Sequence, residues 1–190
     1  MGVFDSELFE ELERKLLLRY AKWEGRAQFK GTGARLLRMV GECFWDPDHI
    51  NEELEKCFKT FDEEYSEMLV EGPISVWTFC PHHLLPCHFD VHIGYIPSGK
   101  VLGLSKFSRI SEILAKRPVM QEQYTREVAA CIDENLSPEG VGVYVIGQHG
   151  CMRCRGVKQE ASVKTSVLLN SFREDPAVRY EFFQIVKGGS

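Results

Sequence analysis

The chain has 190 residues, 44% of them apolar, and a formal net charge of −5; this suffices for one packed domain and excludes the basic excess that tracks nucleic-acid phosphates. No apolar run reaches bilayer length, and the N-terminus lacks the basic-then-apolar layout of a secretory signal. Seven cysteines, an odd number lying mostly in apolar-periodic segments, fit a reducing, cytoplasmic setting better than a disulfide framework.

Met1-Gly2 followed by Ser6 matches a loose myristoylation pattern, but Asp5, Glu7, Glu10 and Glu11 stand where a membrane anchor wants basic residues. No membrane partner is expected. Phe9, Leu12, Leu16, Tyr20 and Trp23 then follow helical spacing. A glycine-punctuated break leads to a second helix carrying Leu36, Val40 and Cys43. Asp46-Pro47-Asp48 signals a third, whose apolar positions Ile50, Leu54, Cys57, Phe58 and Phe61 carry it to Phe61.

The chain changes character near Gly72-Pro73. The segments from Ile74 to Cys80 and from Val91 to Ile96 read as strands, and the turn Pro97-Ser98-Gly99 makes the second pair with 101–104 as a hairpin. Ser105 is placed to cap a helix with Phe107, Ile110 and Leu114 inward, stopped by Arg117-Pro118. A further helix buries Met120, Tyr124, Val128, Cys131 and Ile132. Strands follow at Val141 to Ile146, around Val157, and at Val163 to Val167, before a last helix from Asp175-Pro176 with Val178, Phe182 and Ile185 inward.

This order predicts an α+β fold, organised as one domain with an N-terminal helical region at 1–71 and a strand-containing region at 72–190. There is no internal repeat and no glycine-rich phosphate loop. A bound triphosphate would have to be held by side chains.

Two polar clusters carry chemistry. Cys80-Pro81-His82-His83 offers a Cys and a His three positions apart at a strand end, a spacing that chelates zinc but also describes a buried thiol beside two surface imidazoles. His149-Gly150-Cys151-Met152-Arg153-Cys154-Arg155 follows a strand far along the chain. If the strands bring Cys151 to Cys80 and His83, three protein ligands leave a fourth position open for a water whose pKa falls toward ~7, the form of a catalytic site. A structural zinc would instead need a fourth ligand, for which His88 and Cys154 are the nearby candidates.

Four motifs, Cys80-x-His82-His83, Gly103-Leu104-Ser105-Lys106-x-x-Arg109-Ile110, Arg117-Pro118-x-x-Gln121-Glu122-x-x-Thr125 and His149-x-Cys151-x-x-x-Arg155-Gly156, resemble those of GTP cyclohydrolase I in order and spacing. The resemblance implies a tunnelling fold of antiparallel strands, two adjacent helices and an N-terminal helical extension. In that family subunits close into a barrel, two pentameric rings stack as a homodecamer, and active sites lie between subunits. The implied reaction opens GTP at guanine carbon 8, releases formate and forms dihydroneopterin triphosphate.

By the same resemblance Cys80, His83 and Cys151 are the zinc ligands, and His82 and His149 are the acid–base pair. Glu122 and Gln121 hold the guanine edge, and Lys106, Arg109, Arg155 and Arg35 hold the triphosphate. Ser105 contacts ribose or phosphate. A carboxylate suits guanine because it accepts from both the ring N–H and the exocyclic amine, a pair adenine does not present.

The chain departs from the family at Pro81, where Glu is usual, and in the segment 159–165, which is poorer in Ser and Thr. Cys87 and Cys154 are extra thiols near the implied metal ligands, readable either as redox-active neighbours or as buried small hydrophobes. Two alternatives are a 7-deazaguanine-type reductase on the same fold, whose Glu-Ser-Lys signature is absent from the sequence, and a non-catalytic module with structural zinc.

Overall fold

A computed structural model describes residues 5–188. They fall into two compact units, one reaching to Trp45 and the other beginning at Asp46. The Met1-Gly2 pattern lies outside the described residues. No helix among those described is long and apolar enough to cross a membrane.

In the first unit, α1 (Ser6–Arg19) starts at Asp5, whose carboxylate accepts from the Glu7 backbone N–H, a side-chain cap for an otherwise unsatisfied donor. A 3-10 turn (Glu24–Phe29) leads into α2 (Thr32–Cys43). Glu13 fastens the two helices by accepting from Gly31 N and Gly33 N at 2.8 and 2.9 Å. Gly33 is required there, since a Cβ would stand 2.5 Å from the Phe9 carbonyl oxygen.

The second unit opens with α3 (Pro47–Glu55), capped by Asp46 with Pro47 in the first turn. The helix does not reach Phe61 as its apolar spacing predicts. It stops at Glu55, and Phe61 lies in β1 (Thr60–Asp62), which pairs with β4 (Lys100–Leu102). That pairing also removes the expected hairpin between the strand ending at Ile96 and 101–104.

The four-stranded sheet has the order β2-β3-β5-β6 and is antiparallel throughout, formed by β2 (Leu69–Phe79), β3 (Pro86–Ile96), β5 (Gly140–His149) and β6 (Val163–Asn170). The hairpin joins β2 to β3. Gly72-Pro73 is not the strand boundary but a register shift inside β2, where a residue without an N–H is tolerated because β2 is an edge. Val157 is exposed and outside any strand.

One sheet face is dry. Phe89, Val91, Ile93 and Tyr95 of β3 and Val141, Val143 and Val145 of β5 are at most 1% exposed. The β2 and β5–β6 parts of that face are covered by α4 (Ser105–Ala115) and α5 (Gln121–Leu136) respectively. Phe107, Ile110 and Leu114 of α4 and Tyr124, Val128 and Ile132 of α5 are buried as their spacing predicts, whereas Met120 is exposed as the residue before α5. Ser105 is the first residue of α4, not its cap; Leu104 holds the cap position and makes no side-chain bond.

On the other face, α7 (Ser171–Glu174) and α8 (Pro176–Gly188) bring Phe172 and Phe182 against Ile96 and Val186. Ile185, expected inward, is 44% exposed. Gly94 and Gly142 make room for these rings: a Cβ at Gly94 would meet Phe182 at 2.7 Å, and one at Gly142 would overlap Phe172. Gly142→Ala is therefore expected to lower stability by about 1–3 kcal/mol, read as a reduced urea midpoint.

His92 of β3 is 8% exposed, and burial holds its pKa below the ordinary 6.5, with Asp90 pulling the other way. Its contribution to stability is complete above 6.5 and is lost as pH falls through the lower folded value, because the unfolded chain takes up the proton first. Urea titrations at pH 7 and pH 5 should show a lower midpoint at pH 5, with a smaller difference in His92→Gln.

Candidate metal centre

Antiparallel register gathers the site at one end of the sheet. Phe79 pairs with Pro86 and Cys87 with His149, so the β2–β3 loop and the end of β5 are neighbours. Cys80 closes the loop through its own backbone, its N–H donating to Leu85 O at 2.9 Å and its carbonyl accepting from Leu84 N at 2.8 Å. Leu84 takes φ 49, the left-handed conformation that turns so short a loop back. β5 passes directly into the short α6 (Gly150–Arg153), and Gly150 allows that approach because a Cβ would lie 2.6 Å from Pro86 O.

These turns bring Cys80, His83 and Cys151 together, with one ligand atom from each lying within 4.8 Å of the others. Cys80 Sγ and His83 Nδ1 are 3.5 Å apart, close to the ~3.5 Å that separates sulfur and nitrogen ligands on one tetrahedral zinc. Two thiols and an imidazole are the donor set zinc favours, so the residues fit such an ion. Burial, then the Cys80 thiol beside it, pushes the Cys151 thiol up from its ordinary value, so binding a cation must displace protons.

His82 is exposed, with Nδ1 3.8 Å from Cys80 Sγ. His149 is half-buried and engaged at both ring nitrogens: Nε2 lies 2.8 Å from Gln121 Oε1, and Nδ1 lies 3.4 Å from Cys87 Sγ. Burial lowers its pKa, and the Glu122 carboxylate opposes that.

Cys87 is 1% exposed, and burial pushes its thiol up to about 11. Cys154, by contrast, is exposed and donates to Gly150 O at 2.9 Å, so its reading as a buried small hydrophobe is wrong. Neither Cys154 nor His88 belongs to the three-residue group.

The loop before α5 is tied to the same end of the sheet, Val119 N donating to Phe79 O and Thr78 Oγ1 to Arg117 O. This delivers the start of α5. Gln121 is 1% exposed, and its Nε2 donates to Val145 O, Val163 O and Thr165 Oγ1 at 3.0–3.1 Å. Every polar atom of its side chain is thus bound within the fold. Glu122, one residue on, is exposed in the first turn.

Arg155 is exposed four residues beyond Cys151. Arg35 belongs to the first unit, where its Nη2 donates to Gln28 O, Lys30 O and Thr32 Oγ1. Ser105, Lys106 and Arg109 do not join the metal centre of their own chain. Ser108, between the two basic residues, donates to Glu71 at 2.7 Å, and Glu71 stands nine residues before Cys80, roughly 25–30 Å away along extended strand. Lys106 Nζ donates to Lys56 O at 3.3 Å.

Sheet, hairpin loop and donor set thus define an α+β protein in which, among the described residues, Cys80, His83 and Cys151 form a group that could hold a metal ion. The family profile of GTP cyclohydrolase I matches residues 9–187. The GTP cyclohydrolase 1 of Pelotomaculum thermopropionicum is 40% identical over 189 residues, 98% of this chain and 99% of that one. The protein of that name from Pseudoalteromonas translucida is 47% identical over 129 residues, 67% of this chain and 70% of its own. The human one is 46% identical over 128 residues, 67% of this chain and 51% of its own. A solved structure of the archaeosine synthase QueF-like protein in its apo form aligns with 56% of this chain and 94% of its own at 18% identity and a TM-score of 0.45. The chain belongs to the GTP cyclohydrolase I family, and with it to the hydrolases.

Proposed function

We propose that this chain is a zinc-dependent GTP cyclohydrolase I that opens the imidazole ring of GTP, releases formate and forms 7,8-dihydroneopterin triphosphate in the cytoplasm, with 72–190 as the catalytic region. The observation that carries the reading is the convergence of Cys80, His83 and Cys151 within a chain of this family. A zinc ion held there supplies Lewis acidity and activates water for attack at neutral pH.

The remaining work falls to side chains. Guanine carbon 8 becomes electrophilic once nitrogen 7 is protonated, a task for an imidazole at His82 or His149. Glu122 is exposed at the start of α5 and free to accept from the guanine N–H groups. Gln121 supports the site from behind, because its carboxamide is bound to the sheet and to His149.

Ser105, Lys106 and Arg109 on α4, Arg155 after α6, and Arg35 of the first unit are the residues that would hold the triphosphate. The first three lie far along the sheet from their own chain's metal ligands, which favours an active site completed by a second copy. Among the described residues β2 and β6 are the edge strands of the four-stranded sheet, β2 being bridged at Phe79 by the loop before α5, a feature that suits closure into a multi-subunit barrel and a decamer.

The zinc-loaded protein with GTP should yield formate and, after oxidation, a fluorescent pterin, and chelation should abolish both. Failure of the loaded protein to release formate would overturn the reading. A structural zinc is disfavoured because, among the described residues, three form the group and a structural ion takes four protein ligands.

A further inference from the structure

We propose that Cys87 is a positioning residue for His149, its thiol engaging the lone pair of Nδ1 while Gln121 keeps the ring proton on Nε2. The inference rests on the reading in which His149 handles protons, and it follows from a chain of hydrogen-bond polarity.

Gln121 presents one end of its carboxamide to two backbone carbonyls, Val145 O at 3.1 Å and Val163 O at 3.0 Å. Only N–H can face two carbonyl oxygens, so the orientation of the amide is fixed. The other end, Oε1, can only accept, and it lies 2.8 Å from His149 Nε2, which must therefore carry a hydrogen. In the neutral ring Nδ1 then holds a lone pair.

The Cys87 thiol has one hydrogen to give. Leu85 O is 3.8 Å away and His149 Nδ1 is 3.4 Å away, so the imidazole is the nearer acceptor. The pairing of Cys87 with His149 across β3 and β5 fixes the two backbones, and the burial of Cys87 keeps competing water out. Thr125 braces the arrangement by donating to Gln121 O at 2.7 Å and meeting Thr165 Oγ1 at the same distance.

The two contacts are unequal. The carboxamide is anchored to the sheet, whereas a neutral thiol is a weak donor. Nδ1 is therefore the ring nitrogen left able to take up a proton, and Cys87, donating to its lone pair, holds the neutral imidazole in that single tautomer.

The test compares Cys87→Ala and Cys87→Ser in the zinc-loaded protein, with zinc content and melting temperature measured alongside. Cys87→Ala should lower kcat about fivefold at unchanged KM for GTP and unchanged zinc content, and Cys87→Ser, which restores a donor, should recover most of the loss. A second readout is independent of turnover: carbethoxylation of His149, followed by peptide mass spectrometry with His82 as internal reference, should be faster in Cys87→Ala and slow again in Cys87→Ser.

Equal loss in both variants, loss that tracks zinc content, or unchanged carbethoxylation would overturn the proposal. His149→Ala separates it from the reading beneath it. An inactive His149→Ala beside a fully active Cys87→Ala defeats the positioning role alone, whereas a fully active His149→Ala defeats both.

Discussion

Cys151→Ala is expected to lower bound zinc to near nothing and to reduce GTP turnover by at least about a thousandfold, with little loss of fold. Among the described residues Cys151 is one of three in the group, so its removal leaves Cys80 and His83, a two-ligand chelate too weak to retain the ion. It lies half-buried at the start of the four-residue α6, outside the dry core formed by β3, β5, α4 and α5. An alanine there opens no core cavity, so circular dichroism and the urea midpoint should stay close to those of the unsubstituted protein. Activity retained without metal would contradict the prediction.

Gln121→Ala is expected to damage stability and turnover together. The substitution strips partners from Val145 O, Val163 O, Thr165 Oγ1 and His149 Nε2, all at 2.8–3.1 Å. Leaving buried acceptors unsatisfied costs about 1–3 kcal/mol each where no water can enter, so the urea midpoint should fall by about 2–4 kcal/mol in equivalent stability. The imidazole also loses the contact that fixes its tautomer, which should appear as reduced kcat. A raised KM with unchanged stability would instead mean that the carboxamide meets guanine directly. Gly147 belongs to the same unit: a Cβ there would overlap Gln121 Oε1, so Gly147→Ala should reproduce the effect.

The legible part of the molecule was the part encoded by local rules. Helices α4 and α5 announce themselves through apolar residues at helical spacing, and Phe107, Ile110, Tyr124 and Val128 are buried accordingly. Cys80 and His83 stand out in the sequence as a Cys and a His three positions apart at a strand end, whereas Cys151, far along the chain, is joined to them only through the resemblance to the family's motifs.

What escaped depends on long-range pairing. Phe61 continues the apolar spacing of α3, yet three residues suffice to pair with 100–102 once the chain turns back, and nothing local distinguishes so short a strand from a helix end. That pairing in turn took β4 from β3. Gln121 reads as a polar residue at a helix start. Its burial follows only when α5 docks on β5 and β6 and two strands offer their carbonyls. The contact of Cys87 with His149 joins residues 62 apart in sequence and exists only in one strand register.

X-ray absorption at the zinc edge tests directly whether two thiolates and one imidazole hold a zinc ion with one position left to solvent. Two sulfur ligands at ~2.3 Å, one imidazole nitrogen at ~2.0 Å and one non-protein oxygen at about 2.0–2.2 Å are expected. A shell filled by four protein donors, or a protein that takes up no zinc, would contradict that coordination.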